Sequence, residues 1–380
     1  MASVAKQSRA GSRRPGLLCY ARNDNARAAR PIAYRLRPRL PLVYKDKWED
    51  GMIGRVATLL CAAAMTVAAP AAAQTNVPPF SSLTVFGDSL VDAGNIRKLG
   101  LGADPALGYV DGRFTNGYDY TDLLSLAMYG TPTVASLNGG TNYAYGGARA
   151  TATTPVPDAL EQVALYKAAL AKGGKVDPNG LYVLNFGGND VFAAVKGMEA
   201  GVSDPDAFLL AAAQNYAAAV DALNKLGARN ILLTGFPVAT EGTPLAYSIK
   251  AEIDLAQELA KLNLATDTRL MRYSYLDFFQ RVQANPSAFN LPDPLILPQD
   301  KKPLTTCQGA AALPACTGYF SFDGIHPTAA IHQALFADIN GKFGFGLTAV
   351  PEPATWAMLV LGFATVGAAL RRDRRRRAAA

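Results

Sequence analysis

The chain has 380 residues, 50% of them hydrophobic, with a formal net charge of +7, two histidines and four cysteines. That length supports a substantial core, and so few cysteines exclude a disulfide-built scaffold. The positive charge sits at the ends: residues 74–350 carry 18 Lys/Arg against 24 Asp/Glu, and no basic stripe with interleaved aromatics marks a nucleic-acid surface.

Residues 1–51 hold twelve Lys/Arg, four Asp/Glu and no apolar periodicity. They are expected to be a disordered basic leader, or translation from a start placed too far upstream. Residues 52–73 have the three parts of a secretory signal peptide: a short positive start with Arg55, an apolar run from Val56 to Ala69, and the small residues Ala71, Ala72 and Ala73 at a cleavage site. The apolar run is too short to span a bilayer comfortably. The folded domain is expected over residues 74–349.

Leu83 to Phe86 is predicted to be a strand that stops at Gly87 and Asp88 and presents Ser89 at its C-terminal edge. In open α/β sheets that edge is where ligands bind. The small, polar stretch from Val91 to Gly108 suits an ordered loop beside the serine, and Gly112 to Gly117 is a second turn-forming cluster. A short helix follows over Tyr118–Tyr129. After it, Gly146 and Gly147 let backbone N–H groups approach a ligand closely. Ala159–Ala171 is predicted helical. Leu181–Phe186 is a buried strand running into Gly187, Gly188, Asn189 and Asp190.

Asp204 and Pro205 are the N-cap and first position of a long helix that Gly227 ends. Asn230–Gly235 is the next strand, Leu245–Leu270 a helix, and Tyr273–Asp277 a further strand. Residues 285–314 hold six prolines and form a long irregular loop of the functional or lid-like kind. Cys307 and Cys316, in and just beyond it, are expected to pair as a disulfide in an exported protein. Pro327 starts a final helix that ends near Gly341. Strands alternating with helices make this an α/β chain, with a central parallel sheet of about five strands covered on both faces.

A serine hydroxyl needs a base, the base needs an anion, and the developing oxyanion needs preset donors. Two histidines make the search short. His332 lies inside the final helix pattern and is expected to be a packed or surface residue. His326 lies just before that helix, three residues after Asp323. Ser89, His326 and Asp323 can fill the first three roles. The N–H groups of Ser89 and Gly147 and the amide of Asn189 can supply the donors. Asp88, Asp92 and Asp190 are assigned to turns and caps. No cluster has metal-ligand spacing and no Gly-rich loop ends in Gly-Lys-Ser/Thr, so neither metal nor cofactor is expected.

Phe86-Gly-Asp-Ser-Leu-Val-Asp-Ala-Gly-Asn95, Asn142-Tyr-Ala-Tyr-Gly-Gly147, Gly187-Gly-Asn-Asp190 and Asp323-Gly-Ile-His326 resemble, in order, the four blocks of the GDSL, or SGNH, serine hydrolases. The resemblance implies a three-layer α/β/α, flavodoxin-like fold. It implies Ser89 as nucleophile, Asp323 and His326 as its partners, and Ser89, Gly147 and Asn189 as the oxyanion hole. Gly112–Gly117 is also similar to a segment of lipase-like and haemolysin-like members, which leans towards acyl or lipid esters as substrates. The same triad would serve a carbohydrate O-deacetylase on surface polysaccharide. A non-catalytic surface or matrix protein on a hydrolase fold is the third alternative. The Gly-x-Ser-x-Gly elbow of ordinary α/β-hydrolases is absent around Ser89.

Val350-Pro-Glu-Pro353, an uncharged run from Ala354 to Leu370 and the arginine-rich Arg371–Arg377 resemble the PEP-CTERM sorting signal of Gram-negative bacteria. For residues 350–380 this implies a short transmembrane helix, transient membrane anchoring, and processing by an exosortase-type partner. The domain is then expected in the periplasm, at the outer surface or outside the cell.

Overall fold

The computed structural model describes residues 78–151, 155–236, 242–297, 306–308, 316–348, 362–367 and 370–372. The expected leader and signal peptide lie outside these residues, as do much of the expected transmembrane segment and the Pro-rich stretches 298–305 and 309–315. Among the described residues no helix is long and apolar enough to cross a membrane.

Four parallel strands form one sheet in the order β1 (Leu83–Gly87), β2 (Leu181–Asn185), β3 (Asn230–Thr234) and β4 (Arg269–Tyr273). The α-helices of the domain are α1 (Asn95–Lys98), α2 (Tyr120–Tyr129), α3 (Ala159–Leu170), α4 (Gly188–Lys196), α5 (Pro205–Leu226), α6 (Gly242–Ala260), α7 (Tyr275–Ala284) and α8 (Ala329–Phe343).

Strand side chains alternate between two cores, as period-two geometry requires. Phe86, Tyr182, Leu184, Ile231 and Leu233 pack on one side with buried residues of α3, α4, α5 and α6. Leu83, Val85, Val183, Leu232, Met271 and Tyr273 pack on the other with α2, α7 and α8. The result is the expected three-layer sandwich with every strand parallel.

Two expectations need correction. The helix expected over Leu245–Leu270 ends at Ala260, and the strand expected at Tyr273–Asp277 lies earlier, at Arg269–Tyr273. Met271 and Tyr273 are buried with exposed Arg272 between them, the alternation of an edge strand. Ser274 then accepts the N–H of Asp277 and starts α7.

The sheet has four named strands rather than about five. Beside β1 lies a short parallel pairing that the sequence reading did not include: Tyr143 N–H donates to Val85 O (2.7 Å), Tyr145 N–H to Gly87 O (3.0 Å), and Val85 N–H to Thr141 O (3.0 Å). The order therefore reverses at β1, with segment 141–145 on one side and β2 on the other. Such a reversal opens a crevice at the C-terminal ends of the strands.

Candidate active site

β1 ends where backbone crowding leaves no room for a side chain. A Cβ on Gly87 would stand 2.5 Å from Val91 Cγ2 and 2.6 Å from Asn185 O. Gln162 of α3 holds both backbone groups of this residue: Gly87 N–H donates to Gln162 Oε1 (2.8 Å), and Gln162 Nε2 donates to Gly87 O (2.9 Å). Asp88 then folds back, accepting from Leu90 N–H (3.0 Å) and Asn185 Nδ2 (3.1 Å). The turn leaves Ser89 half-exposed at the strand end.

The residues before α8 supply the partners. In the turn Asp323–His326, Asp323 Oδ1 accepts the N–H groups of Ile325 (2.9 Å) and His326 (2.8 Å). Its Oδ2 lies 2.6 Å from His326 Nδ1, and His326 Nε2 lies 2.7 Å from Ser89 Oγ. Burial by itself would raise the Asp323 carboxyl. The hydrogen bond and charge of His326 and the two backbone N–H groups outweigh it and hold Asp323 at about 2. An ionised Asp323 can only accept, so Nδ1 carries the hydrogen and donates it to Oδ2, and Nε2 is left to accept from the Ser89 hydroxyl.

The Gly112–Gly117 cluster latches this segment in place. Thr115 Oγ1 donates to Pro327 O (2.8 Å), and Asn116 Oδ1 accepts the N–H of Ala329 in the first turn of α8 (2.9 Å). The Phe114 ring lies 5.0 Å from the His326 ring. Arg113 anchors the cluster by two hydrogen bonds to buried Asp122, at 2.8 and 2.9 Å.

The donor side is set by which N–H groups are already used. Asp92 accepts from Gly94, Asn95, Ile96 and Gly146 N–H. The Gly146 donor is therefore taken. Gly147 follows at φ 84, exposed. Among the described residues its N–H makes no hydrogen bond, and neither does that of Ser89. Asn189, in the first turn of α4, donates through Nδ2 to Ala148 O (2.9 Å). That bond sets it beside the Gly146–Ala148 turn and leaves its second amide hydrogen.

The neighbouring carboxylates do more than the local turns and caps assigned to them: Asp92 and Asp190 also latch distant segments. Asp190 accepts from Ala150 N–H and from the N–H and hydroxyl of Thr151. Burial, only partly offset by backbone N–H donors, pushes Asp88 up to about 7 and Asp92 to about 6. Of the packed and surface roles expected for it, His332 takes the packed one. It is buried against Tyr120, and burial lowers it to about 3.

The structure thus brings Ser89, Asp323 and His326 into direct contact, with Gly147 and Asn189 in adjoining turns. The Cys307–Cys316 disulfide is formed, buried, and packed on Phe322 beside Asp323. Two contributors were not foreseen. Gln162 lay on a helix with no motif around it, and Tyr109, whose hydroxyl donates to Asp323 Oδ2 (2.7 Å), lay between two Gly-rich stretches.

Residues 83–339 match the family model described as GDSL-like Lipase/Acylhydrolase, and residues 349–376 match the PEP-CTERM protein-sorting motif. The second match marks an exported protein of Gram-negative bacteria. "Lipase 1" of Photorhabdus luminescens is 33% identical over 170 residues, 43% of this chain and 23% of that protein. "Thermolabile hemolysin" of Vibrio parahaemolyticus is 29% identical over 203 residues, 51% of this chain and 43% of that protein. The chain therefore spans less than half the length of these curated relatives. Among solved structures, Axe2, an acetylxylan esterase from Geobacillus stearothermophilus, covers 73% of this chain and 99% of its own at 15% identity and a TM-score of 0.39. A likeness of that size says nothing about substrate. The family match runs from the first residue of β1 into α8 and takes in all four motif blocks, so the chain belongs to the GDSL-like lipase/acylhydrolase family.

Proposed function

We propose that this chain is an exported serine esterase of the lipase type that cleaves carboxylic esters through an acyl-enzyme on Ser89. The observation that carries the reading is the continuous line from Ser89 Oγ to His326 Nε2 (2.7 Å) and from His326 Nδ1 to Asp323 Oδ2 (2.6 Å). Ser89 Oγ attacks the ester carbonyl carbon while its proton passes to His326 Nε2. Asp323 holds the Nδ1 proton and stabilises the imidazolium. The N–H groups of Ser89 and Gly147 and the free amide hydrogen of Asn189 receive the oxyanion. The imidazolium returns its proton to the departing alcohol, and water repeats the sequence on the acyl-serine.

Apolar side chains beside the site support an acyl chain as the bound group. Ile325, between Asp323 and His326, is 64% exposed, and Phe192, one turn beyond Asn189, is 43% exposed. The relatives named for lipase and haemolysin activity agree with that chemistry. Residues 74–350 contain no tryptophan, the residue best suited to stacking on sugars. The sorting motif supports cleavage near Pro351-Glu352-Pro353 by an exosortase-type enzyme after transient membrane anchoring.

The test is Ser89→Ala. The variant is expected to fold like the wild type, to hydrolyse no p-nitrophenyl esters above background, and to resist fluorophosphonate labelling. Wild-type turnover by Ser89→Ala would overturn the reading. A series of esters of increasing acyl length tests the substrate class. Activity confined to acetyl esters of glycans would move it to deacetylation, and absence of labelling in the wild type would make the domain non-catalytic.

A further inference from the structure

Tyr109 stands outside every motif that assembles the site. Its hydroxyl donates to Asp323 Oδ2 at 2.7 Å. That is the oxygen facing His326 Nδ1, whereas Oδ1 is occupied by the N–H groups of Ile325 and His326. The working oxygen of Asp323 therefore has two partners, the imidazole and one phenol contributed from 214 residues away.

The phenol is itself held firmly. The Tyr109 ring stands edge-on to Phe322 at 5.0 Å and to Phe114 at 6.0 Å. Phe322 packs on the buried Cys307–Cys316 disulfide. The residues around Cys307 pair with the segment leading to Asp323: Cys307 N–H donates to Ser321 O (3.3 Å) and Gln308 N–H to Phe322 O (2.8 Å). The Gln308 side chain reaches back to Leu107 O (2.9 Å), two residues before Tyr109. Three separate pieces of chain meet around the Phe322–Asp323 segment. Carrying a carboxylate into the protein does not require this arrangement, since its own turn already supplies two N–H donors.

We propose that Tyr109 is a positioning residue for the triad, acting through Asp323: its hydroxyl fixes the direction of Oδ2 towards His326 Nδ1 and shares the carboxylate's charge with the imidazole. The proposal rests on the triad reading given above. Burial and the Asp323 hydrogen bond raise the Tyr109 phenol well above its ordinary value, so it remains a donor at any working pH. A donor to a carboxylate stabilises the anion. Without it, Asp323 is more basic and holds the imidazolium proton more tightly, so the base form of the site appears at higher pH. Of the other titratable groups, His332 on α8 interacts electrostatically with His326, and Asp122 on α2 with His332. His332 is buried and neutral, Asp122 is paired with Arg113, and neither hydrogen-bonds to Asp323 or His326.

Tyr109→Phe keeps the ring and its packing and deletes one hydroxyl. In the purified full chain acting on p-nitrophenyl butyrate, kcat is expected to fall about tenfold. KM should stay within about twofold, and the acid limb of the rate profile should move up by about half a pH unit. In an Asp323→Asn background, the same substitution should change the rate of fluorophosphonate labelling by less than about twofold, because its route of action is gone. Unchanged kcat and an unmoved acid limb would overturn the proposal. So would an undiminished tenfold loss in the Asp323→Asn background, which would assign Tyr109 a role elsewhere. Should Tyr109→Phe melt early, labelling rates per folded molecule at low temperature give the same comparison. Retained turnover in Ser89→Ala removes the triad reading itself. An inactive Ser89→Ala beside a Tyr109→Phe equal to wild type removes only the role of Tyr109.

Discussion

Asp88, immediately before Ser89, shows how closely a residue beside the site can be tied to stability rather than chemistry. It is buried, and desolvation pushes it up to about 7 despite the donors Leu90 N–H and Asn185 Nδ2. Its folded value lies above its unfolded value of about 3.9. Its contribution to stability is therefore present below about pH 4 and lost as pH rises through about 7. His332 runs the other way. Its folded value of about 3 lies below the unfolded value, so its contribution is present above about pH 6.5 and lost as pH falls. Between those limits the two slopes oppose each other, so the wild-type profile alone is not diagnostic, but a difference is. Asp88→Asn is expected to gain on the wild type between pH 4 and 8, by about 2–4 kcal/mol at most. Paired thermal midpoints across that range would measure it, and a pH-independent difference would refute the assignment.

At the scale of elements, the site depends on strand ends held by helices that carry no catalytic group. Gln162 on α3 is fully buried and satisfies both backbone groups of Gly87. Gln162→Leu leaves the Gly87 N–H without a partner, because Tyr145 N–H reaches only the carbonyl. A loss of about 2 kcal/mol is expected by urea denaturation, with a lower kcat as the Ser89 turn loosens. A kcat equal to wild type would separate the clamp from the site. Gly187, between β2 and α4, has φ 111, and a Cβ there would enter the Phe236 ring. Gly187→Ala is expected to cost about 2–3 kcal/mol through strain and overpacking, read by the same denaturation.

Legibility differs among the elements for physical reasons. The Asp204–Pro205 start and the Gly227 end of α5 were visible because caps are local chemistry. The end of α6 was not. No Gly or Pro stands between Ala260 and Tyr273, and the edge strand β4 is too short for alternation to compete with a helical pattern. Segment 141–145 was invisible as a strand because Thr141 and Asn142 open it, it carries no apolar run like that of β2, and its pairing is an isolated bridge.

At the scale of the whole molecule, the disulfide joins a loop to the segment that carries Asp323. Replacing Cys307 and Cys316 together by Ser is expected to cost about 2–3 kcal/mol, seen as a lower denaturation midpoint. Activity should fall as well, because Phe322 loses the surface on which it and Tyr109 rest. Full activity at the lower midpoint would confine the disulfide to stability.

The sequence by itself determined what depends on residue identity and order: the α/β class, the four motif blocks, the eligible histidine, the pairing of two cysteines and the sorting motif. These are legible because each block is contiguous and its chemistry is local. Only the tertiary structure decided which polar groups remain free and which supports they rest on. Gly146 N–H is taken by Asp92 while Gly147 N–H is not. Gln162 reaches Gly87 across 75 residues, and Tyr109 reaches Asp323 across 214. The availability of a donor is what remains after folding has satisfied all the others, and its partners are chosen by packing, so no local pattern carries that information.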